Sequence, residues 1–154
     1  MPEPGAVVLR SDVLRKQLFN VGELEKLEEG AYRAEVTGEV YGLLAQRAAR
    51  VVTQGHSTIA DAVFARENER AALRNIARQS GVRFVGLFLT ADLKIRQSRI
   101  SQRPADASDA TAEVARLQEQ YDIGNVDWAI IDASGTPEET LRACKTRLAQ
   151  FEAA

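Results

Sequence analysis

An α/β fold built on a doubly wound parallel sheet is predicted for these 154 residues from three observations. Four short runs, residues 6–9, 58–63, 84–89 and 129–131, are apolar on consecutive positions, as parallel strands buried on both faces are. Helical patterns separate the runs, so strand and helix alternate along the chain. Hydrophobic residues make up 45% and charged residues 27%, which suits one globular domain with a single sizeable core and not a disordered chain.

The first run passes into Ser11, Asp12, Val13, Leu14, Arg15 and Lys16, the start of a short helix. Residues 20–30 form an acidic linker. The longest helix is expected over residues 33–54, with Val36, Val40, Leu44, Val51 and Val52 on one stripe and Gly55 as its stop. After the second strand, a helix over residues 66–80 turns Ala72, Leu73, Ile76 and Ala77 inward and stops at Gly81. Thr90 is expected to cap a third helix, which carries Leu93 and Ile100 and ends before Pro104. Residues 102–110 are small and polar and read as irregular. A fourth helix covers residues 111–121, with Val114, Leu117 and Tyr121 on one side. Thr136, Pro137, Glu138 and Glu139 then give the clearest start signal: threonine caps, proline takes the first turn, and Glu139 closes a capping box. Leu141, Cys144, Leu148 and Phe151 are expected to line the buried face of this last helix.

Composition excludes several functions. The net charge of −2, with acids and bases interleaved, argues against a general nucleic-acid coat. A single cysteine forms no internal disulfide, fitting a reducing cytoplasm. No apolar stretch approaches a membrane span, and no Cys/His cluster for a structural metal occurs. His56, the one histidine, sits at a helix-to-strand junction and reads as a turn residue.

Four groups carry candidate chemistry. Asp12 stands in the first helical turn beyond a strand, where ligands of open parallel sheets bind, and a carboxylate there can accept or orient a substrate hydroxyl. Arg15, one turn on, suits an anionic substrate group. Ser11 and Asp12 are equally ordinary capping types, so spacing leaves both roles open. Asp61, near the end of the second strand, is costly if buried without a partner and suits a magnesium-bound water or the acceptor. Its other reading is a carboxylate bonded to nearby backbone amides. Arg96, Arg99 and Arg103 share one helix side and lead into the loop of residues 102–110, as arginines of a closing lid do. Taken alone, such a face is also ordinary solvated surface. The turn of Asp132, Ala133, Ser134, Gly135 and Thr136 resembles a nucleotide-base contact loop, although any strand-to-helix turn favours these types.

Together these stretches resemble the small-molecule kinases of the P-loop class. They are similar to the ATP-binding, kinase-like halves of bifunctional aminoglycoside-phosphotransferase/ATPase proteins. Gluconate kinases, chloramphenicol phosphotransferases, polynucleotide kinases and zeta toxins are more distantly similar. The resemblance runs through residues 8–16, 55–64, 99–109 and 131–135 and so spans nearly the whole chain.

It implies a three-layer P-loop NTPase-like sheet with flanking helices, and an ATP-dependent phosphotransferase using ATP and Mg2+ on a small-molecule or other hydroxyl-bearing acceptor. By the same likeness Asp12 is the base or hydroxyl-orienting residue and Arg15 a substrate contact. Asp61 serves magnesium and acceptor, Arg99 and Arg103 are lid arginines, and Ser134, Gly135 and Thr136 flank the adenine. The family places Gly-x-x-x-x-Gly-Lys-[Ser/Thr] before the Asp12 strand, and these 154 residues contain no such motif. Lys16 cannot replace it, because no glycine-rich turn accompanies it.

The expectation is therefore a single domain that lacks the central first strand and is inactive on its own. Residues 58–63 and 84–89 would either pair with each other or leave open edges that favour a homo-oligomer. The alternative expectation is a non-catalytic α/β binding or interaction module derived from a P-loop NTPase.

Overall fold

Val7–Arg10 forms strand β1 and passes directly into helix α1, Ser11–Leu18, in a computed structural model that describes residues 5–152. A one-turn helix at Glu29–Tyr32 ends the acidic linker. Then follow α2 (Ala34–Thr53), β2 (Thr58–Asp61), α3 (Glu67–Gln79), β3 (Leu87–Thr90), α4 (Leu93–Gln102), α5 (Ala112–Gln118), β4 (Ala129–Asp132) and α6 (Pro137–Glu152). Met1, on which the expectation about the start depends, lies outside the described residues.

The four strands form two parallel ladders, β1 with β2 and β3 with β4. Val8 lies beside Ile59 and Arg10 beside Asp61, while Leu89 lies beside Ile131 and Thr90 beside Asp132. Among the described residues the Thr58 strand therefore pairs with the Val7 strand and not with the one containing Leu87. The residues gather into two compact units. The first holds residues 5–64, Asn68–Arg83 and Pro104–Asp109; the second holds Ala65–Glu67, Phe84–Arg103 and residues 110–152.

Both predicted glycine stops work by the same mechanism. Gly55 and Gly81 have positive φ, +82° and +64°, which only glycine adopts without strain. At α2 the amides of Gly55 and His56 return to the carbonyls of Val52 and Val51 (3.0 and 3.2 Å). At α3 the amides of Gly81 and Val82 return to Arg78 and Ala77 (3.3 and 3.0 Å), so both ends are Schellman caps. The capping box of α6 also forms: the Glu139 amide donates to Thr136 Oγ1 (3.2 Å), and the Thr136 amide donates to Glu139 Oε2 (2.7 Å).

Three expectations are corrected. Thr90 does not cap α4. It is the last residue of β3, where ladder pairing with Asp132 takes its backbone, and Asp92 precedes the helix. Strand β3 begins at Leu87, and the Ala129 amide donates to the Gly86 carbonyl (3.0 Å) at the ladder's edge. The stripe on α6 is not buried, since Leu141, Leu148 and Phe151 are exposed and only Cys144 is half-buried.

The core of the first unit lies where α2 packs on α1 and on both strands, with Val40, Leu44 and Ala48 buried along one helix face. Burial of Val40 and of Leu44 contributes about 1.5–3 kcal/mol each. Phe64 closes the end of this core in a left-handed backbone (φ 49°). Its amide donates to the Tyr41 hydroxyl (3.0 Å), the two rings meet edge to face, and buried Arg70 donates to its carbonyl (2.8 Å). In the second unit the inward side of the ladder carries mostly small residues, Ala129, Ile131 and Ala133.

Candidate functional site

Parallel pairing in the first unit brings the carboxyl ends of β1 and β2 side by side, and Arg10 and Asp61 are the paired residues there. Arg10 Nε donates to Asp61 Oδ2 (3.2 Å), which anchors the guanidinium from one side. Its other two nitrogens form a fork on Asp106, Nη1 to Oδ2 (3.2 Å) and Nη2 to Oδ1 (2.8 Å). This is the paired geometry in which guanidinium grips a carboxylate or phosphate. Asp106 also accepts from the Ser108 amide (3.0 Å), so the segment Pro104–Asp109 is folded tightly over the strand end.

Asp12, one residue past Ser11 in α1, belongs to the same cluster. Burial pushes its carboxyl above the ordinary aspartate range, partly offset by the neighbouring Ser108 side chain and by Arg10. The Asp106 fork and the charges around it hold the Arg10 guanidinium more firmly protonated than usual. Asp61 is exposed and not buried. Burial therefore imposes no cost on that carboxylate, and its partner is Arg10.

Arg15 shares α1 with Asp12, but its guanidinium is turned to the protein. Nη1 donates to the Ala31 carbonyl (2.6 Å), and the group lies 4.9 Å from the centre of the Tyr32 ring. Lys16 is only 1% exposed. Its ammonium donates to the carbonyls of Glu23 (2.8 Å) and Glu25 (2.5 Å) and to Asp109 Oδ1 (3.0 Å). Asp109 also takes the Leu27 amide (3.0 Å) and the Tyr32 hydroxyl (2.7 Å). Burial works to raise Asp109, but these donors outweigh it and hold the carboxyl below its usual range. Lys16 and Asp109 thus tie the acidic linker and the loop before α5 to α1.

The second unit gathers the remaining candidates. Arg99 donates to the carbonyls of Ala133 (2.7 Å) and Gly135, which joins the predicted lid helix to the predicted base-contact turn. Arg103 reaches the Ala110 carbonyl (3.5 Å). Within the turn, the Ser134 amide donates to Asp132 Oδ1 (2.9 Å), and the Ser134 hydroxyl accepts from the Asp92 amide (3.3 Å). Thr136 is engaged in the α6 cap, so this turn meets most of its hydrogen-bonding capacity internally.

Asp12, Arg15 and Asp61 therefore fall in one unit, and Arg99, Arg103, Ser134, Gly135 and Thr136 in the other. Arg10, Asp106 and Ser108 were missed from sequence. The signal available was weak: a charged residue on the last strand position and a polar loop rich in aspartate. Among the described residues no group of three or more His, Cys, Asp or Glu is placed to hold a metal ion. Asp61 is exposed and paired with Arg10, and its carboxylate is a hard oxygen of the kind a magnesium ion that keeps its waters takes. No helix of the described residues is long and apolar enough to cross a membrane.

The fold and sequence match known proteins. A candidate kinase of Chloroflexus aurantiacus, known from a crystal structure, superposes with a TM-score of 0.60 at 19% identity, over 95% of this chain and 84% of that one. Uncharacterized proteins of Mycobacterium tuberculosis and Mycobacterium bovis are 29% identical over 145 residues, 89% of this chain. The chain spans only 28% of their length. The sequence profile of the AAA domain matches residues 1–122. With parallel strands, flanking helices and this match over most of its length, the chain belongs to the AAA-domain family and has the P-loop kinase-like fold.

Proposed function

We propose that the chain supplies the acceptor side and lid arginines of an ATP-dependent phosphotransferase acting on a small hydroxyl-bearing molecule in the cytoplasm. Asp12 carries this reading: a desolvated carboxylate in the first turn of α1, beyond the carboxyl end of β1 in a parallel ladder and near Arg10. A carboxylate whose pKa is raised by burial is the better proton acceptor. In the proposed step Asp12 takes the hydroxyl proton while the acceptor oxygen bonds the γ-phosphorus of ATP and the bond to ADP breaks. Arg99 and Arg103 would exchange main-chain carbonyls for phosphate oxygens, and Asp61 would hold a magnesium-bound water. Arg15 would act from beneath, holding the linker in place. Ser134, Gly135 and Thr136 would meet the adenine by packing.

These 154 residues contain no glycine-rich phosphate cradle, so this chain alone is proposed to be inactive. Titrating Mg-ATP against it calorimetrically should show no binding at micromolar concentration. Micromolar affinity would overturn the proposal that the cradle must come from other residues.

A second reading is favoured by one observation. Val8 and Ile59, neighbours across the ladder, are 57% and 54% exposed. An interaction module would use this face to join a second copy of the chain. Sedimentation equilibrium should then give a dimer that Val8→Lys disrupts; a monomer at all concentrations rejects this reading.

A further inference from the structure

Resting on the phosphotransferase reading, we infer that Asp61 and Asp106 are positioning residues that act through Arg10. Together they hold its guanidinium and offset its charge, so that Asp12 remains a proton acceptor and not one half of an ion pair. Arg10 is the last residue of β1, and Asp12 stands two residues on, in the first turn of α1. Two residues of chain span at most about 7 Å between Cα atoms, so the cation is close to the carboxylate. A free guanidinium at that range would pair with Asp12 and weaken its hold on a proton. The fold gives Arg10 other partners instead. Ladder register sets Asp61 beside it, and Nε donates to Asp61 Oδ2 (3.2 Å). Nη1 and Nη2 donate to Asp106 Oδ2 and Oδ1 (3.2 and 2.8 Å). One cation shared by two carboxylates leaves the trio net anionic.

The other groups around Asp12 leave this balance in charge. Burial opposes its ionised form most, and Asp61 adds to that, while the Ser108 side chain, Arg10 and Arg15 favour ionisation. Arg10 acts more strongly than Arg15, whose guanidinium is drawn to the Ala31 carbonyl and the Tyr32 ring. Tyr32 and Tyr41, from the one-turn helix and α2, lie near enough to feel the Asp12 charge. Burial chiefly, and that charge in part, keeps both phenols protonated more firmly than usual. Arg10 is thus the cation that matters, and it is held from two sides, by the neighbouring strand and by the loop. Either carboxylate alone would keep the guanidinium in place, but only both together offset its charge in excess.

Carboxyl-carbon NMR of the full chain, labelled at aspartate and titrated without magnesium, tests this. The Asp12 signal is the one that Asp12→Asn removes. Asp61→Asn and Asp106→Asn each leave an oxygen for Arg10 and take away only a charge. Each should move the Asp12 midpoint to lower pH, and the double variant should move it further. Arg10→Gln, which leaves both carboxylates without their cation, should move it to higher pH. A midpoint that stays put or rises in either asparagine variant that folds overturns the inference, since a merely structural pair would leave it unmoved. Asp61 is exposed, so Asp61→Asn decides the matter should Asp106→Asn not fold. In a chain extended to carry the phosphate loop, the acid limb of the pH–rate profile should follow the Asp12 midpoint. If the midpoint moves as expected but turnover survives Asp12→Asn, the phosphotransferase reading falls and the charge balance stands. If Asp12→Asn removes turnover but the midpoint does not move, the inference alone falls.

Discussion

Replacing Lys16 with methionine should destabilise the chain by about 3–5 kcal/mol, the usual consequence of removing one partner of a buried ion pair. Methionine fits the space of the aliphatic stem, so the loss reflects the ammonium and not a cavity. Two carbonyls, those of Glu23 and Glu25, lose their donor together, and Asp109, only 12% exposed, keeps its charge with two donors in place of three. Urea unfolding should show a lower midpoint at unchanged slope. A loss below about 1 kcal/mol would mean that Lys16 does not hold the linker. The acid limb should change as well. The Asp109 pKa is lower in the folded chain than in the unfolded one, so its stabilisation is present above the ordinary carboxylate range and lost as pH falls through the folded value. Without Lys16 that acid loss should be smaller.

Asp12→Asn should have two opposite effects. In a chain extended to carry the phosphate loop, turnover should fall by about 10²–10⁴, as when a general base is removed, with ATP affinity nearly intact. Unchanged turnover would reject the role of Asp12. The same substitution should raise the melting temperature near neutral pH. Burial raises the Asp12 pKa, so the stability that its protonated form contributes is present at low pH and lost as pH rises through the folded value. Asparagine does not ionise and avoids that loss. The gain should therefore vanish well below the ordinary aspartate value of about 3.9. A lower melting temperature at neutral pH would show that the carboxylate is held by more than it loses to desolvation.

What could be read from sequence was what chain neighbours decide. Gly55, Gly81 and the Thr136–Glu139 box act through bonds between residues three to five apart, and each formed as the local pattern required. Thr90 was misread because cap and strand end favour the same residue, and its choice depends on Asp132 across the ladder. The spacing of Asp12 and Arg15 correctly placed both on α1, but helical period does not reveal that Ala31 and Tyr32 claim the guanidinium. Arg10 and Lys16 were passed over for the same reason. Their decisive partners, Asp106 and Asp109, are 96 and 93 residues away in the chain. Strand apolarity told which segments enter a ladder but not which faces would be covered, as exposed Val8 and Ile59 show.

The pairing of the strands also sets an order of events in folding. Val7 meets Thr58 across 51 residues, and the Thr90 hydroxyl donates to the Ile131 carbonyl across 41. Closing loops of that length is entropically opposed before any ladder bond can offset it, and loop entropy grows only slowly with length. The intervening helices can form within microseconds and shorten the span to be closed. Helical signal should thus precede strand protection in refolding, and β1 should gain amide protection only after α2 has formed. A nascent chain emerging from the ribosome would lack the β2 partner of β1 until residue 61 is made.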